Sequence, residues 1–236
     1  MSFSVKSLKT RVRRWLQRDY KRSFAQCGED LISDFVLSSL MPTVQYLDVG
    51  AHHPVHFSNT YYFYCKGAQG VCVEPDPDLF RSIQRKRSRD LCLNAGVGLT
   101  GSGTAPFYVM SNRTLNTFSA AEAKRFETMG SNRIERTINI PLLMINDIME
   151  KHFQNGPDFL SLDIEGLELP VLRTMDFSRF RPKVMCIETI TYSEDNTERK
   201  LTETIDFVLS QGYLIFADTY INTIFVDEEF WRNRKP

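Results

Sequence analysis

Two short apolar segments, each followed by polar residues of a particular kind, most constrain the fold of this chain. Residues 44–47 lead into Asp48-Val49-Gly50-Ala51-His52-His53-Pro54, and residues 70–73 lead into Glu74-Pro75-Asp76. A Rossmann-like sheet holds an adenosine-bearing cofactor with this order of elements: a strand, a turn of small residues, a helix and a second strand that ends in an acid. The pattern therefore predicts such a sheet, with its ligand at this turn.

The composition of the turn narrows the choice of cofactor. It has no G-x-G-x-x-G motif: only Gly50 and Ala51 are small, and His52 and His53 follow where a dinucleotide fold has glycines that admit a pyrophosphate. S-adenosylmethionine has no pyrophosphate, so the turn predicts a methyltransferase. A nucleotide-binding, NAD-linked oxidoreductase of the same fold is the alternative.

Length and composition set the outer limits. With 236 residues, the chain is expected to form one α/β domain, residues 23–236, after a basic N-terminal segment, residues 1–22. The formal net charge is zero, which gives no attraction for nucleic acid. The five cysteines form no C-x-x-C pair, which is typical of reduced thiols and predicts a cytoplasmic protein. The sequence does not indicate the oligomeric state.

The N-terminal segment is predicted to be a basic amphipathic helix over residues 5–22. Val5, Leu8, Val12, Trp15 and Leu16 would share one face, and basic residues would cover the other. Packing on the edge of the domain is the first interpretation. The alternative is peripheral contact with the inner face of the membrane.

The rest of the chain alternates strands and helices. Five predicted strands (44–49, 70–73, 91–95, 158–163 and 183–188) are separated by helices, and two more, 213–217 and 222–226, close the domain as a hairpin. This order predicts a mostly parallel, seven-stranded sheet with helices on both faces, the class I methyltransferase variant of the Rossmann-like plan. Residues 99–140 are expected to form a hairpin and a loop over the active site. The basic run in the helix at 77–89 is expected to face solvent.

Polar residues stand at the carboxyl end of each of the five strands, where ligands bind in such sheets. Glu74 is expected to take the ribose hydroxyls, with Pro75 beside it. Asp48 is expected to secure the turn or the cationic amino-acid part of the cofactor. Asn94, followed by Ala95, is expected to face the adenine, and Glu188-Thr189 ends the fifth strand.

Asp163, Glu165 and Glu168 form the densest group of acids. Such a group acts as a general base or holds a divalent cation, and we favour the base. Asp163 and Glu165 are expected to face the methyl donor, and Glu168 to lie on the next helix and point to water. His53 is the alternative base. A zinc site at His52, His53 and His56 is not favoured, because adjacent side chains diverge and no fourth ligand is evident.

The chain resembles the FkbM family of S-adenosylmethionine-dependent methyltransferases over about residues 23–227. The resemblance is carried by Ser23–Asp30, Tyr46–Pro54, Ser58-Asn59-Thr60-Tyr61, Gly70–Pro75, Phe159–Gly166, Arg181–Val184 and the closing segment from Gly212 to Val226.

The resemblance implies methyl transfer to an oxygen, commonly a sugar or polyketide hydroxyl, so a glycan or a related small molecule is the expected acceptor. It also implies that Gln26 and Glu29 lie near the site, although their residue pattern alone indicates only a helix cap. Asn59 is assigned to the cofactor site with them. A non-catalytic glycan-associated protein is the remaining alternative.

Overall fold

A computed structural model describes residues 21–38, 41–101 and 103–234. The predicted N-terminal helix therefore lies almost wholly outside the described residues. The strands are β1 (Gln45–Val49), β2 (Gln69–Val73), β3 (Leu91–Leu93), β4 (Gly96–Gly98), β5 (Gly103–Met110), β6 (Ile134–Met144), β7 (Phe159–Leu162), β8 (Val184–Glu188), β9 (Tyr213–Asp218) and β10 (Asn222–Asp227). The helices are α1 (Glu29–Ser38), α2 (Tyr61–Cys65), α3 (Pro77–Lys86), α4 (Ala120–Thr128), α5 (Ile145–His152), α6 (Glu168–Thr174), α7 (Thr202–Ser210) and α8 (Glu228–Arg232).

Seven of the strands form the main sheet, in the order β3-β2-β1-β7-β8-β10-β9. The first five are parallel, and β10 runs antiparallel to both β8 and β9. The fold predicted from the sequence, a mostly parallel Rossmann-like sheet closed by an antiparallel hairpin, is confirmed. The strand order reverses between β1 and β7, which places the ligand crevice at their carboxyl ends.

Both faces of this sheet are covered by helices, as predicted. The central strands β1, β7 and β8 are buried along nearly their whole length, which explains why they are apolar runs rather than alternating patterns. One face packs against α5, α6 and α7, and the other against α1, α2, α3 and α8. No helix among the described residues is long and apolar enough to cross a membrane.

A second, three-stranded sheet with the order β4-β6-β5 stands beside the main one. Strands β5 and β6 are antiparallel, as the predicted hairpin requires. Their connection contains a 3₁₀ turn at Arg113–Leu115 and helix α4, which the sequence analysis did not predict. Ser119 caps α4 by accepting a hydrogen bond from the Glu122 N–H. This connection supplies one wall of the cavity described next.

Candidate active site

A cavity of about 490 Å³ lies at the carboxyl ends of the central strands. Its walls include the turn after β1, the end of β2, the loop at 113–118, the turn after β7 and the segments that follow β8 and β9. Of the predicted site residues, seven line it: Gln26, Gly50, His52, Glu74, Pro75, Asp163 and Glu165. The others hold the walls in place or lie in the core, as shown below.

The turn after β1 brings two backbones into contact. The N–H groups of Gly50 and Ala51 donate to the Val73 carbonyl at 3.0 and 3.2 Å. Gly50 has a φ of +80°, and a Cβ added there would lie 1.7 Å from the Asp163 carbonyl oxygen. Only glycine fits this position. Ala51 is buried, 5% exposed, and packs in the core beneath the turn.

Glu74 faces the cavity from the end of β2 and is only 4% exposed. One carboxyl oxygen accepts from the His52 N–H and the other from the Asp76 N–H, both at 2.8 Å. Burial raises the pKa of Glu74 to about 8. Each oxygen retains a lone pair, so the carboxyl group is held in one orientation and can still meet the hydroxyls of a ligand.

Asn94 and Ala95 support this end of the site rather than lining it. The Asn94 amide donates to the carbonyls of Glu74 and Pro75, both at 2.9 Å. Ala95 is 3% exposed and belongs to the main core. The Asn94 amide therefore fixes the loop that carries Glu74.

Asp48 and Asn59 lie in a polar layer behind the turn. Asp48 is 4% exposed and accepts a hydrogen bond from the Thr60 hydroxyl. Its Oδ2 also lies 3.6 Å from Nη1 of Arg87. Asn59 donates to the Ser161 hydroxyl at 3.1 Å. Of the two roles predicted for Asp48, these contacts favour securing the turn.

Arg87 is an exception to the prediction that the basic run in the helix at 77–89 faces solvent, whereas Arg85, Lys86 and Arg89 are exposed as predicted. The Arg87 side chain is fully buried and donates to Asp90 at 2.7 Å and to the Thr60 hydroxyl at 2.8 Å. Two aromatic rings, Tyr46 and Tyr64, lie 5.4 and 5.7 Å from its guanidinium carbon. The positive charge therefore lies directly beneath the cofactor turn.

Gln26 and Glu29 lie near the site, as the resemblance implied. Gln26 lines the cavity, whereas Glu29 is fully buried and accepts from the Cys27 N–H at 2.7 Å. Glu29 also accepts from Thr219 at 2.7 Å and from Asn222 at 3.1 Å, across the β9–β10 hairpin. It thereby ties the loop that carries Gln26 to the tip of that hairpin.

Three carboxylates converge on the cavity: Asp163 and Glu165 after β7, and Glu188 at the end of β8. Each offers an oxygen within 4.8 Å of the other two. Burial and then the charge of Asp48 raise the pKa of Asp163 to about 6. Burial and then the Asp163 charge raise the pKa values of Glu165 and Glu188 well above the ordinary range. The hydrogen bond from Glu188 lowers the pKa of Asp163 and raises that of Glu188, so Asp163 is the more acidic of this pair.

Glu168 does lie on the next helix, but the prediction that it points to water is wrong. It is 1% exposed and accepts hydrogen bonds from the N–H groups of Ile164, at 2.8 Å, and Gly166, at 3.1 Å. Burial raises its pKa to about 7. The side chain closes the turn that carries Asp163 and Glu165, so it supports the carboxylate cluster from behind.

The ring of His53 is hydrogen-bonded within the turn that follows β1. Its Nδ1 accepts from the N–H groups of Val55, at 3.1 Å, and His56, at 2.9 Å, so the ring is part of the turn itself. Burial lowers the pKa values of His52 and His53. Among the described residues that line the cavity, His52 is present and His53 is not.

The backbone of the cavity wall is unusual. Within the described part of the chain, five non-glycine residues have a left-handed backbone: His52, Phe57, Glu165, Asn196 and Tyr220. All five line this cavity. Such conformations cost about 1–3 kcal/mol each and cluster at functional sites. The concentration of strain supports the assignment of the cavity as the active site.

Fold and cavity together define a methyltransferase of the Rossmann-like class. A family model, the methyltransferase FkbM domain, matches residues 48–215, which is more than half of the chain. The protein therefore belongs to the FkbM family of S-adenosylmethionine-dependent methyltransferases. No curated protein matches the chain in a sequence comparison.

Solved structures with similar folds include other methyltransferases. A TehB-like SAM-dependent methyltransferase from Corynebacterium glutamicum shares 9% identity, with a TM-score of 0.44 over 94% of this chain and 97% of that one. An O-methyltransferase from Bacillus cereus in complex with SAH shares 9% identity, with a TM-score of 0.43 over 95% and 91%. Fibrillarin from Aeropyrum pernix, with natively bound S-adenosyl-L-methionine, shares 12% identity, with a TM-score of 0.41 over 84% and 72%.

Proposed function

We propose that the protein is an O-methyltransferase that acts on a hydroxyl group of a sugar, glycan or related natural product. The observation that carries this proposal is the cluster of Asp163, Glu165 and Glu188 on the cavity wall, beside the turn that contains Gly50. A hydroxyl is a weak acid, so its methylation requires a group that removes its proton. A carboxylate with a raised pKa suits that task.

The residues at the turn fit the expected cofactor. Gly50 allows the backbones after β1 and β7 to meet, and no side chain is present there to block a ligand. Glu74 has a fixed carboxyl group whose free lone pairs can accept hydrogen bonds from two ribose hydroxyls. S-adenosylmethionine, when bound, supplies a methyl group that is activated by the positively charged sulfonium sulfur. After the transfer, that sulfur is left as a neutral thioether.

Asp163 is the group to which we assign the role of general base, which accepts the proton of the acceptor hydroxyl. Its pKa is raised to about 6, which suits a base, and the hydrogen bond that Glu188 donates to it stabilises its ionised form. The acceptor hydroxyl would lose its proton to Asp163 while its oxygen forms the new bond to carbon. Glu165 and Glu188, which each offer an oxygen within 4.8 Å of Asp163, would hydrogen-bond to and orient the acceptor.

A divalent cation at the same carboxylates is the less favoured variant of this mechanism. Oxygen ligands of this kind suit Mg²⁺ or Ca²⁺. A cation needs both glutamates ionised, however, and burial raises the pKa of each, which disfavours the ionised form. For that reason we assign the cluster as base and hydrogen-bonding groups.

The experiment measures transfer of an isotopically labelled methyl group to a panel of glycans and sugar nucleotides. Asp163→Asn should lower turnover about 10²–10⁴-fold and leave S-adenosylhomocysteine affinity nearly unchanged. The turnover of the unmodified protein should rise with pH through about 6, as Asp163 loses its proton. Glu165→Gln and Glu188→Gln complete the series, and His53→Ala is the control.

Three results decide between the alternatives. Near-normal rates in every carboxylate variant would refute the proposed base, and a loss in His53→Ala alone would transfer that role to the histidine. Inactivation by a chelator, reversed by added Mg²⁺, would establish the cation mechanism. No transfer to any hydroxyl-bearing acceptor would refute O-methylation.

The cellular setting is also a proposal. All five cysteines are free thiols, with Cys72 and Cys186 buried, which supports a reducing compartment such as the cytoplasm. The zero net charge and the acids that line the cavity support an uncharged or hydroxyl-rich acceptor rather than nucleic acid. Membrane contact through residues 5–22 would be tested by liposome binding before and after their removal.

A further inference from the structure

Tyr220 is unusual on three counts. It is 63% exposed, which makes it one of the most exposed large hydrophobic side chains among the described residues. It has a left-handed backbone, with a φ of 76°, although it is not glycine. It also lines the active-site cavity, from the turn between β9 and β10. A bulky residue kept in this conformation at a cavity rim suggests that the placement of its ring matters.

The surrounding contacts hold Tyr220 in this conformation. Its N–H donates to Asp218 at 2.8 Å, and its carbonyl accepts from the Lys200 amine at 2.9 Å. Lys200 also pairs with Asp218 at 2.8 Å, and the neighbouring Thr219 hydroxyl donates to Glu29 at 2.7 Å. The backbone of the turn is therefore fixed from two sides, and the hydroxyl of the Tyr220 ring is held by Glu198.

The position of Tyr220 in the sheet order separates it from the cofactor residues. Gly50 and Glu74 follow β1 and β2, the carboxylates follow β7 and β8, and Tyr220 follows β9, beyond β8. The carboxylates thus lie between the expected cofactor side and the Tyr220 side. An acceptor that presents a hydroxyl to Asp163 would therefore extend toward Tyr220.

Polar side chains accompany the ring on this wall of the cavity. The Tyr220 hydroxyl donates to Glu198, whose other carboxyl oxygen accepts from the Ser193 hydroxyl at 2.9 Å. Asn196, also left-handed at a φ of 59°, lines the same wall. An aromatic face beside a fixed carboxylate and the amide of Asn196 matches a pyranose ring. The ring carbons of a pyranose present slightly positive C–H groups to the negative face of an aromatic ring, and its hydroxyls meet the polar groups.

We propose that Tyr220, with Asn196 and Glu198, forms a subsite that binds a pyranose ring of the acceptor by stacking. This proposal rests on the proposed function, because it places the sugar on the acceptor side of the carboxylates. It adds a specificity element: hydroxyl-bearing molecules without a flat C–H face should bind poorly.

The test is saturation-transfer NMR with the full-length protein and S-adenosylhomocysteine. The probes are the methyl glycosides of glucose, galactose and mannose, and the control probe is mannitol, which has similar hydroxyls but no ring. At least one glycoside should bind through its C–H face, and mannitol should not. Tyr220→Ala should weaken glycoside binding about three- to tenfold.

Two variants separate stacking from general damage. Tyr220→Phe keeps the ring and should retain glycoside binding. Ile215→Ala removes a 45%-exposed apolar side chain from the same hairpin, outside the described cavity lining, and should bind glycosides as the unmodified protein does. Calorimetry should show equal S-adenosylhomocysteine affinity in all of them.

The outcomes distinguish this proposal from the proposed function. Failure of every glycoside to bind, equal binding by Tyr220→Ala, or equal binding of mannitol would overturn the subsite. Glycoside binding that depends on Tyr220, without methyl transfer to any glycoside, would support the subsite and count against the proposed reaction. Methyl transfer to glycans that is unchanged in Tyr220→Ala would uphold the reaction and overturn the subsite.

Discussion

The buried Arg87 should be a main source of stability for the cofactor turn. Its guanidinium contacts Asp90 at 2.7 Å, the Thr60 hydroxyl at 2.8 Å and Asp48 at 3.6 Å, with no exposure to solvent. Arg87→Leu fills a similar volume but removes the only cation that these two acids contact among the described residues. Both carboxylates would then be buried without a positive partner.

The expected loss is large. Removing one partner of a buried ion pair typically costs about 3–5 kcal/mol, because the remaining charge has neither water nor a counter-ion. For a domain of this size, each kcal/mol lowers the melting temperature by about 2–4 °C. The melting temperature of Arg87→Leu should therefore fall by about 6–20 °C.

Urea unfolding followed by tryptophan fluorescence measures the difference directly. Arg85→Leu is the matched control, because Arg85 is an exposed arginine of the same basic run and should change stability by less than about 0.5 kcal/mol. Arg87→Lys should give an intermediate loss, since an ammonium cannot reproduce the fork of contacts. It also provides a measurable value if the leucine variant does not fold. A loss below about 1 kcal/mol in Arg87→Leu would refute the reasoning.

Three further predictions concern the site. Glu74→Ala should weaken S-adenosylmethionine binding about ten- to a hundredfold, the value of two hydrogen bonds to the ribose hydroxyls, and unchanged affinity in calorimetry would contradict this. Gly50→Ala should destabilise the fold and abolish cofactor binding, because its Cβ would overlap the Asp163 carbonyl; a cofactor-binding, normally stable variant would contradict it. Burial raises the pKa values of Glu74, Glu168 and Asp163 to about 8, 7 and 6, so the folded protein keeps protons that the unfolded chain releases. Urea midpoints should therefore fall as the pH rises from about 5 to about 8, and a rise would refute the assignment.

Most of the main sheet could be predicted from the sequence, because its strands are buried on both faces and stand out as apolar runs between helices. Strand β4 at Gly96–Gly98 and helices α4 and α8 were missed. The first is only three residues long and contains two glycines, and its partner residues in β6 lie 46 positions further along the chain. Short elements of this kind are formed by tertiary contacts rather than by a local pattern.

The residues of the site also divide into those that could be predicted from the sequence and those that depend on tertiary contacts. Residues at strand ends, such as Glu74 and Asp163, were found because the ends of parallel strands meet at one edge of the sheet. The burial of Arg87 could not be foreseen, since Asp48 and Thr60 lie far from it in sequence. The burial of Glu168 had a local signal: it follows a turn whose free N–H groups, at Ile164 and Gly166, need an acceptor.

Glu165 allows a test of whether the left-handed residues of the cavity lower the stability of the fold in exchange for function. Its φ is 52°, and its carboxyl group is buried beside Asp163, so neither its backbone nor its charge favours folding. Glu165→Gly should relieve the backbone strain and remove the acid, and should raise stability by about 1 kcal/mol after the entropy that glycine adds to the unfolded chain. Turnover should fall, because the acceptor loses a hydrogen-bonding partner. Glu165→Gln, which keeps the strained backbone, should be less stable than the glycine variant. If urea unfolding shows Glu165→Gly to be less stable than the unmodified protein, the left-handed backbone is not a strain that function maintains.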